Sequence, residues 1–533
     1  MLTLCVTNTL KSVAHQQPKV PTVDRTMETL RDRIAKSDKR ELDLSNLGLT
    51  EFPSEVLSNP DLLYLEKINL GGNKLSALPD EISQFKKLRT LFFAGNNFEE
   101  VPKILGKLPD LFMLSFKGCK VSIVHADALS PSISWLILTD NKIKSLPPTI
   151  GKLTGLRKVM LSGNQLTSLP DEMKNCKNIE LLRLASNQFS SFPNWLFELP
   201  KLSWLALSGN PITASSAVPS VDADIDEFEV LHTLGEGTSG KVSKAKWKTK
   251  NIEVALKIFK AISTSDGDPL EEIKASLSVG KHPNTIEVLG KAVHGQFPGL
   301  ILSVISPSYR ALGNPPSFSS ITRDTYDEDT SFTMKEVTDI LYGIASLGAH
   351  LHHRGLCHGD MYAHNILVDS SDVPSGKKKP ALLCDYGAAT FYDRKTMNME
   401  PLEVRAWGIL ADELIMLGTK AEDKNSNNSE VKEAFIELPK LKDLAAKCQS
   451  DFIQERPSFS LITRTMRESV CSRLPSIPDT SNDPVYGDTP ADPISLFHVA
   501  GVIIIVSIVV AVLQRSFKCN SLLGRDVCAK KEG

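Results

Sequence analysis

The chain has little net charge, no disulfide-like clustering of cysteines and no sustained apolar run at its start. Its 61 Lys and Arg against 63 Asp and Glu leave −2 over 533 residues. No global field draws it to nucleic acid, and no nucleic-acid partner is expected. The nine cysteines, at Cys5, Cys119, Cys176, Cys357, Cys384, Cys448, Cys471, Cys519 and Cys528, never form CxxC and do not cluster. That odd, dispersed set suits a reducing compartment. The first 23 residues carry no acid and only Lys11 and Lys19 as Lys or Arg, without a sustained apolar run. This argues against a secretory signal and leaves a weak organelle transit peptide open. The length calls for several domains, each burying its own core.

What is present begins with a helical spacing, Met27, Leu30 and Ile34 within Asp24–Arg40, expected to cap the domain on its C-terminal side. A repeat then starts. LxxLxLxxNxL followed by Pro occurs at Leu65–Pro79, Leu88–Pro102, Leu156–Pro170 and Ile179–Pro193, and without the Pro at Leu202–Ile212. Ile133–Pro147 fits with one substitution, and Leu111–Val121 has Cys119 in the Asn slot. The slots Asn73, Asn96, Cys119, Asn141, Asn164, Asn187 and Asn210 fall 22 or 23 residues apart, and Leu42–Pro53 reads as a degenerate first repeat. The pattern resembles a leucine-rich repeat solenoid of about eight repeats. No repeat can bury its apolar face alone, so the units must stack, and the Asn amides are structural.

Between the inward leucines stand Phe92, Met113, Trp135, Ile137, Met160, Leu181 and Trp204, expected on the concave face. An apolar row there fits a protein ligand, with Phe92, Trp135 and Trp204 as candidate anchors. Equally, these side chains could cover one another or pack against the rest of the chain.

After a Ser-, Pro- and Asp-containing linker, Gly235, Gly237 and Gly240 form GxGxxG between two β-like runs, Phe228–Thr233 and Lys241–Lys246. Glycines there let a hairpin lie flat against phosphates. Lys257 comes next on a strand-like run, where a dinucleotide fold would enter a helix. Val242 stands where a P-loop needs a hydroxyl, which excludes that motif and a Roc-type GTPase. Farther on, Cys357-His-Gly-Asp-Met-Tyr-Ala-His-Asn365 resembles the catalytic loop HRDxxxxN, and Asp385-Tyr-Gly387 resembles DFG. Together these motifs resemble the protein kinase family over roughly residues 226–470, and Glu455–Phe459 resembles the end signature of its tyrosine-kinase-like group.

That resemblance implies roles. Lys257 would hold the α/β-phosphates of ATP, paired with Glu272, or alternatively Glu271, of the next helix. Gly235, Gly237, Gly240, Val242 and Ala255 would line the nucleotide. Asp360 would accept or orient the proton of the substrate hydroxyl, and Asn365 and Asp385 would hold Mg²⁺, a hard cation suited to oxygen donors. Departures stand beside this. Gly359 replaces the arginine that reads a phosphorylated activation loop. Tyr362 and His364 leave the Ser/Thr or Tyr class open. Glu403, matching a helix aspartate, lies only 18 positions after Asp385, and Glu400 is the expected partner of Arg456. Thr390, Tyr392 and Thr396 are candidate phosphosites.

Ser472–Pro493, with five prolines and four aspartates, reads as a disordered spacer. Ile494–Leu513 is twenty residues without Asp, Glu, Lys or Arg. As a helix it would reach about 30 Å, a bilayer core. The basic residues after it favour a cytosolic C-terminus. The kinase-like part, however, needs ATP and carries free cysteines, which favours a C-terminal anchor with repeats and kinase in the cytosol. The expected architecture is an N-terminal segment and cap (1–38), an α/β repeat solenoid (39–214), a linker (215–226), a two-lobed α+β protein kinase-like domain (227–470), a spacer (471–493), a single transmembrane helix (494–513) and a basic tail (514–533). The expected function is ATP-dependent phosphoryl transfer to protein hydroxyls, the rival being a nucleotide-binding pseudokinase scaffold.

Overall fold

Leu30 is fully buried, and around it winds the helix Val23–Lys36 announced by the apolar spacing. Arg33 at its end donates to the carbonyls of Asp43 (3.2 Å) and Ser45 (2.9 Å), tying the helix to the first repeat. In this computed structural model the described residues are 23–213, 220–237, 240–260, 267–294, 297–371, 379–422 and 429–470. They lie within one compact unit, Met1–Thr480. Residues 1–22, the spacer, the apolar run 494–513 and the basic tail lie outside the described residues. Among the described residues no helix is long and apolar enough to cross a membrane.

The repeats give eight three-residue strands, Glu41–Asp43, Lys67–Asn69, Thr90–Phe92, Met113–Ser115, Trp135–Ile137, Lys158–Met160, Leu181–Arg183 and Trp204–Ala206. They pair in parallel and in chain order, so Leu42, Ile68, Leu91, Leu114, Leu136, Val159, Leu182 and Leu205 line up as one buried row. Each slot Asn closes its turn internally. Asn96 Nδ2 donates to the carbonyls of Leu70 (2.9 Å) and Phe93 (2.8 Å), and its Oδ1 accepts Leu75 N–H (2.9 Å). At the odd slot, Cys119 Sγ faces the Phe93 carbonyl at 3.2 Å and, more distantly, the Lys117 carbonyl at 4.0 Å. There Phe93, Phe98 and Phe116 pack ring on ring, with centroids 4.8–5.2 Å apart. Aromatic bulk fills the repeat whose amide is missing.

The second part begins with a six-stranded sheet ordered Asp222–Asp224, Val288–His294, Phe297–Ser303, Ile252–Phe259, Gly240–Trp247, Phe228–Glu236. Asp222–Asp224 falls inside the segment read as a linker. It joins the edge in parallel, burying only Ala223. The helix Pro269–Ser278 packs on this sheet through Ile273, beside Phe259 and Leu300. Two small sheets follow, together with helices Met334–His353, Glu400–Glu422, Ser429–Cys448 and Phe459–Thr465. A Thr333/Glu336 capping box starts the first of them, satisfying two otherwise orphan N–H groups. Buried Trp407 anchors the second by donating Nε1–H to the Leu341 carbonyl at 2.9 Å.

Between Ser303 and Met334 no helix forms. The chain pairs Tyr309–Ala311 with Ile366–Asp369 and then runs irregularly through 314–326. This stretch reaches the repeats. Their core also takes in Cys357, Tyr392, Met397, Met399 and Leu402 from the second part.

Candidate nucleotide and phosphoryl-transfer site

The glycine hairpin is antiparallel, and Gly237 N–H closes onto the Gly240 carbonyl at 2.9 Å. A Cβ on Gly240 would stand 2.5 Å from the Ile258 carbonyl, so only glycine fits that crossing. At Gly235 and Gly237 the space is open. Val242 pairs with Gly235 across this hairpin and with Lys257 of the next strand, and half-buried Val242, buried Ala255 and exposed Leu234 leave an apolar edge.

Lys257 Nζ pairs with the Glu272 carboxylate and lies 3.9 Å from Asp385 Oδ1. Burial pulls the Lys257 ammonium down. The Asp385 and Glu272 carboxylates more than reverse this, and its pKa ends above the ordinary value. Glu271, the alternative, instead meets Lys274 at 2.6 Å. Asp385 sits in the left-handed region, φ 62°, with Oδ1 accepting Gly387 N–H at 3.3 Å. A non-glycine residue held there stores strain of a kind common at functional sites.

The loop that resembles HRDxxxxN is held at His358 and Gly359 by Glu403. Its carboxylate, 2 % exposed, accepts Gly359 N–H (2.7 Å) and His358 N–H (3.3 Å), and meets His352 Nε2 at 2.8 Å. Burial pushes this carboxyl up, but the His352 imidazole and the loop's N–H groups hold it below the usual range. His352, Cys357 and Glu403 place three ligand-type atoms within 4.8 Å of one another, yet the carboxylate is already taken by the loop's backbone. Asn365 Nδ2 donates to the Asp360 carbonyl at 3.1 Å, and Cys384 N–H donates to the Asn365 carbonyl at 2.9 Å, joining the two motifs. The oxygen donors of Asn365 and Asp385 fit a small hard cation, and the soft donor beside them is Cys384. Burial pushes that thiol up to about 12, so it stays protonated.

Sequence reasoning missed Asp324. It accepts His364 N–H (2.9 Å) and meets His364 Nδ1 (2.8 Å), while His364 Nε2 lies 3.8 Å from Asp360 Oδ2. Burial lowers the imidazole, and the hydrogen bond to Asp324 with the negative charge of nearby Asp360 raises it to about 10. Asp324 and His364 are 40 positions apart, and no local pattern signals the pair. The expected Glu400–Arg456 pair is replaced by other contacts. Glu400 caps Phe459 N–H at 2.8 Å, while Arg456 donates to the carbonyls of Ser450, Pro401 and Pro200. Of the candidate phosphosites, Thr390 and Tyr392 are buried and Thr396 is exposed.

The concave side chains face the chain's own second part. Trp204 stacks at 4.9 Å on Tyr362 and 5.8 Å from His364. Ser203 Oγ and Tyr362 OH share a 2.9 Å hydrogen bond. Phe92 and Trp135 touch the ring of Phe318 at the rim.

A glycine hairpin, a lysine paired with Glu272 near Asp385, and an asparagine bonded to the Asp360 backbone are thus brought into one region of the second part. Residues 228–427 match the protein kinase domain family model, and 131–189 and 154–212 match that of the leucine-rich repeat. Ribosomal protein S6 kinase alpha-2 of Mus musculus is 28% identical over 164 residues, 31% of this chain and 20% of that protein. Ribosomal protein S6 kinase alpha-6 of Homo sapiens is 27% identical over 185 residues, 34% of this chain and 22% of that one. This chain thus spans about a fifth of the length of the curated relatives it matches. A solved leucine-rich repeat protein of Leptospira interrogans shares 29% identity over 33% of this chain and 56% of its own, at a TM-score of 0.27. The chain carries leucine-rich repeats followed by a protein kinase domain.

Proposed function

We propose that the chain is an ATP- and Mg²⁺-dependent protein kinase transferring the γ-phosphoryl group to protein hydroxyls, built as a repeat solenoid and a two-lobed kinase domain at 227–470. The observation that carries this is Lys257, paired with Glu272 and 3.9 Å from Asp385. Lysine and metal-ligand carboxylate already converge on one point. Asn365 and Asp385 would hold Mg²⁺, which when bound supplies charge neutralisation at the phosphates. Lys257 would grip the α/β-phosphates, the glycine hairpin would cover them, and Asp360 would orient the incoming hydroxyl and take its proton. Val242 and Ala255 would contact the base. Incubation of the purified chain with Mg-ATP tests this. Autophosphorylation, lost in Lys257→Met and Asp385→Asn, is expected.

A second reading, a nucleotide-binding pseudokinase scaffold, draws on Tyr362, which is 2 % exposed beneath Trp204 on the side where a substrate peptide would enter. ATP-induced thermal stabilisation without transfer under any condition would select it. For the apolar run 494–513 the proposal is a C-terminal membrane anchor with repeats and kinase cytosolic. Retention in the membrane pellet after alkaline wash, with the repeats of intact organelles open to added protease, is the expected result.

A further inference from the structure

The repeats do more than lie beside the kinase domain. Lys158 donates to the Ile321 carbonyl at 3.3 Å, and its ammonium stands 4.2 Å from the Trp135 ring. The Thr322 hydroxyl binds the Glu180 carboxylate, which Arg157 holds from the other side at 3.1 Å. Leu207 N–H donates to the Thr390 hydroxyl at 3.2 Å, so the segment after Asp385 is docked too. A Cβ on Gly359 would stand 2.8 Å from the Leu205 carbonyl, placing repeat backbone directly against the catalytic loop. Ile321 is buried with φ 62°, a conformation costly for a β-branched residue, so the docked loop carries strain.

The contact also leaves polar groups unmet. Trp204 Nε1, Trp135 Nε1 and Ser208 Oγ are buried and find no hydrogen-bond partner among the described residues. Such groups cost stability wherever water is excluded, and regain it on opening.

We propose that the hollow face of the repeats is a docking surface for this chain's own substrate-side loops, 314–326 and 358–364, and that the docked state closes the site to protein hydroxyls. Tyr362 and Thr390, which flank the loop of Asp360 and the segment after Asp385, are already covered by Trp204, Ser203 and Leu207 of the repeats. Asp324, on the docked loop, holds His364 against Asp360, so release of the loop also frees the catalytic loop. The closure half rests on the kinase reading. The docking half does not.

The test uses the full chain as wild type, Trp204→Ala and Thr322→Glu, the last setting two carboxylates against each other at Glu180. Amide exchange of 203–208 and 358–365, Mg-ATP affinity and transfer to a generic protein substrate are read in each. Faster exchange in both segments, unchanged Mg-ATP affinity and transfer raised about tenfold, the usual size of a coupling between sites, are expected. Lys257→Met added to either variant should abolish the transfer. Unchanged exchange in 358–365 overturns the docking surface. Released exchange with transfer equal to wild type overturns the closure. Released exchange with no transfer by any form supports the docking and refutes the kinase reading instead.

Discussion

Glu403→Gln removes one charge and almost no volume from the point where the catalytic loop is held. The carboxylate accepts two backbone N–H groups and meets His352, all beneath a surface that leaves it 2 % exposed. An amide keeps one carbonyl oxygen and turns an NH₂ toward a donor. One charge-assisted bond of about 1.5–3 kcal/mol becomes a neutral one of about 0.5–1.5, and the second N–H, left unmet, costs about 1–3 kcal/mol more. With the His352 partner lost, the sum is about 3–5 kcal/mol, the range for breaking a buried pair. Native-state hydrogen exchange at the Gly359 amide measures it. A loss of about 3 kcal/mol accelerates exchange by roughly 150-fold, since each 1.4 kcal/mol is tenfold. Within a double-mutant cycle, His352→Phe should make the Glu403→Gln penalty smaller. Exchange accelerated less than about fivefold, or strictly additive effects, would show that Glu403 does not hold the loop.

Asn141→Ala should cost about 2–4 kcal/mol in urea unfolding of the repeats, because the carbonyls of Phe116, Leu138 and Thr139 and the Val121 N–H lose their partner together. Cys119→Ala, with fewer bonds to lose, should cost less than half as much. Burial, with His350 beside it, lowers His282 to about 3. Below the unfolded value near 6.5 the unfolded chain binds a proton the native one refuses, so stability falls as pH drops, by roughly 1.4 kcal/mol per unit. His282→Gln should flatten that acid slope in thermal scans between pH 6 and 4. His364 is raised to about 10, so its contribution is full below about 6.5 and fades as pH climbs through 10. His364→Gln should lower the melting temperature at pH 7 and remove that alkaline loss.

Much of the fold was legible where the signal is local and periodic. A 22- or 23-residue repeat with its Asn slot specifies strand, turn and stacking at once, and the eight strands fall on it. The site's lysine, aspartates and glycines were legible because each sits in a short motif. The choice between Glu271 and Glu272 was not, since adjacent helical residues differ by about 100° and only the helix's docking on the sheet selects one. Asp222–Asp224 carries a single small apolar residue, so its strand pairing comes from the neighbour Val288–His294 rather than from its own pattern. The loop 314–326 has Ser and Pro and no period, and its partners Lys158, Glu180 and His364 are 40 to 163 positions away. The apolar concave row read as well for an outside ligand as for an inside one. Which surface covered it depended on a tertiary arrangement that no single strand records.

The most direct measurement is phosphate transfer from Mg-ATP to a protein substrate by the full chain carrying Trp204→Ala, beside the same chain with Asp385→Asn added. Transfer is expected in the first and none in the second, with Mg-ATP protecting the wild type against heat and Lys257→Met losing that protection. No transfer and no nucleotide-dependent stabilisation in any form would contradict the kinase reading, and the convergence of Lys257, Glu272 and Asp385 would then be architecture without chemistry.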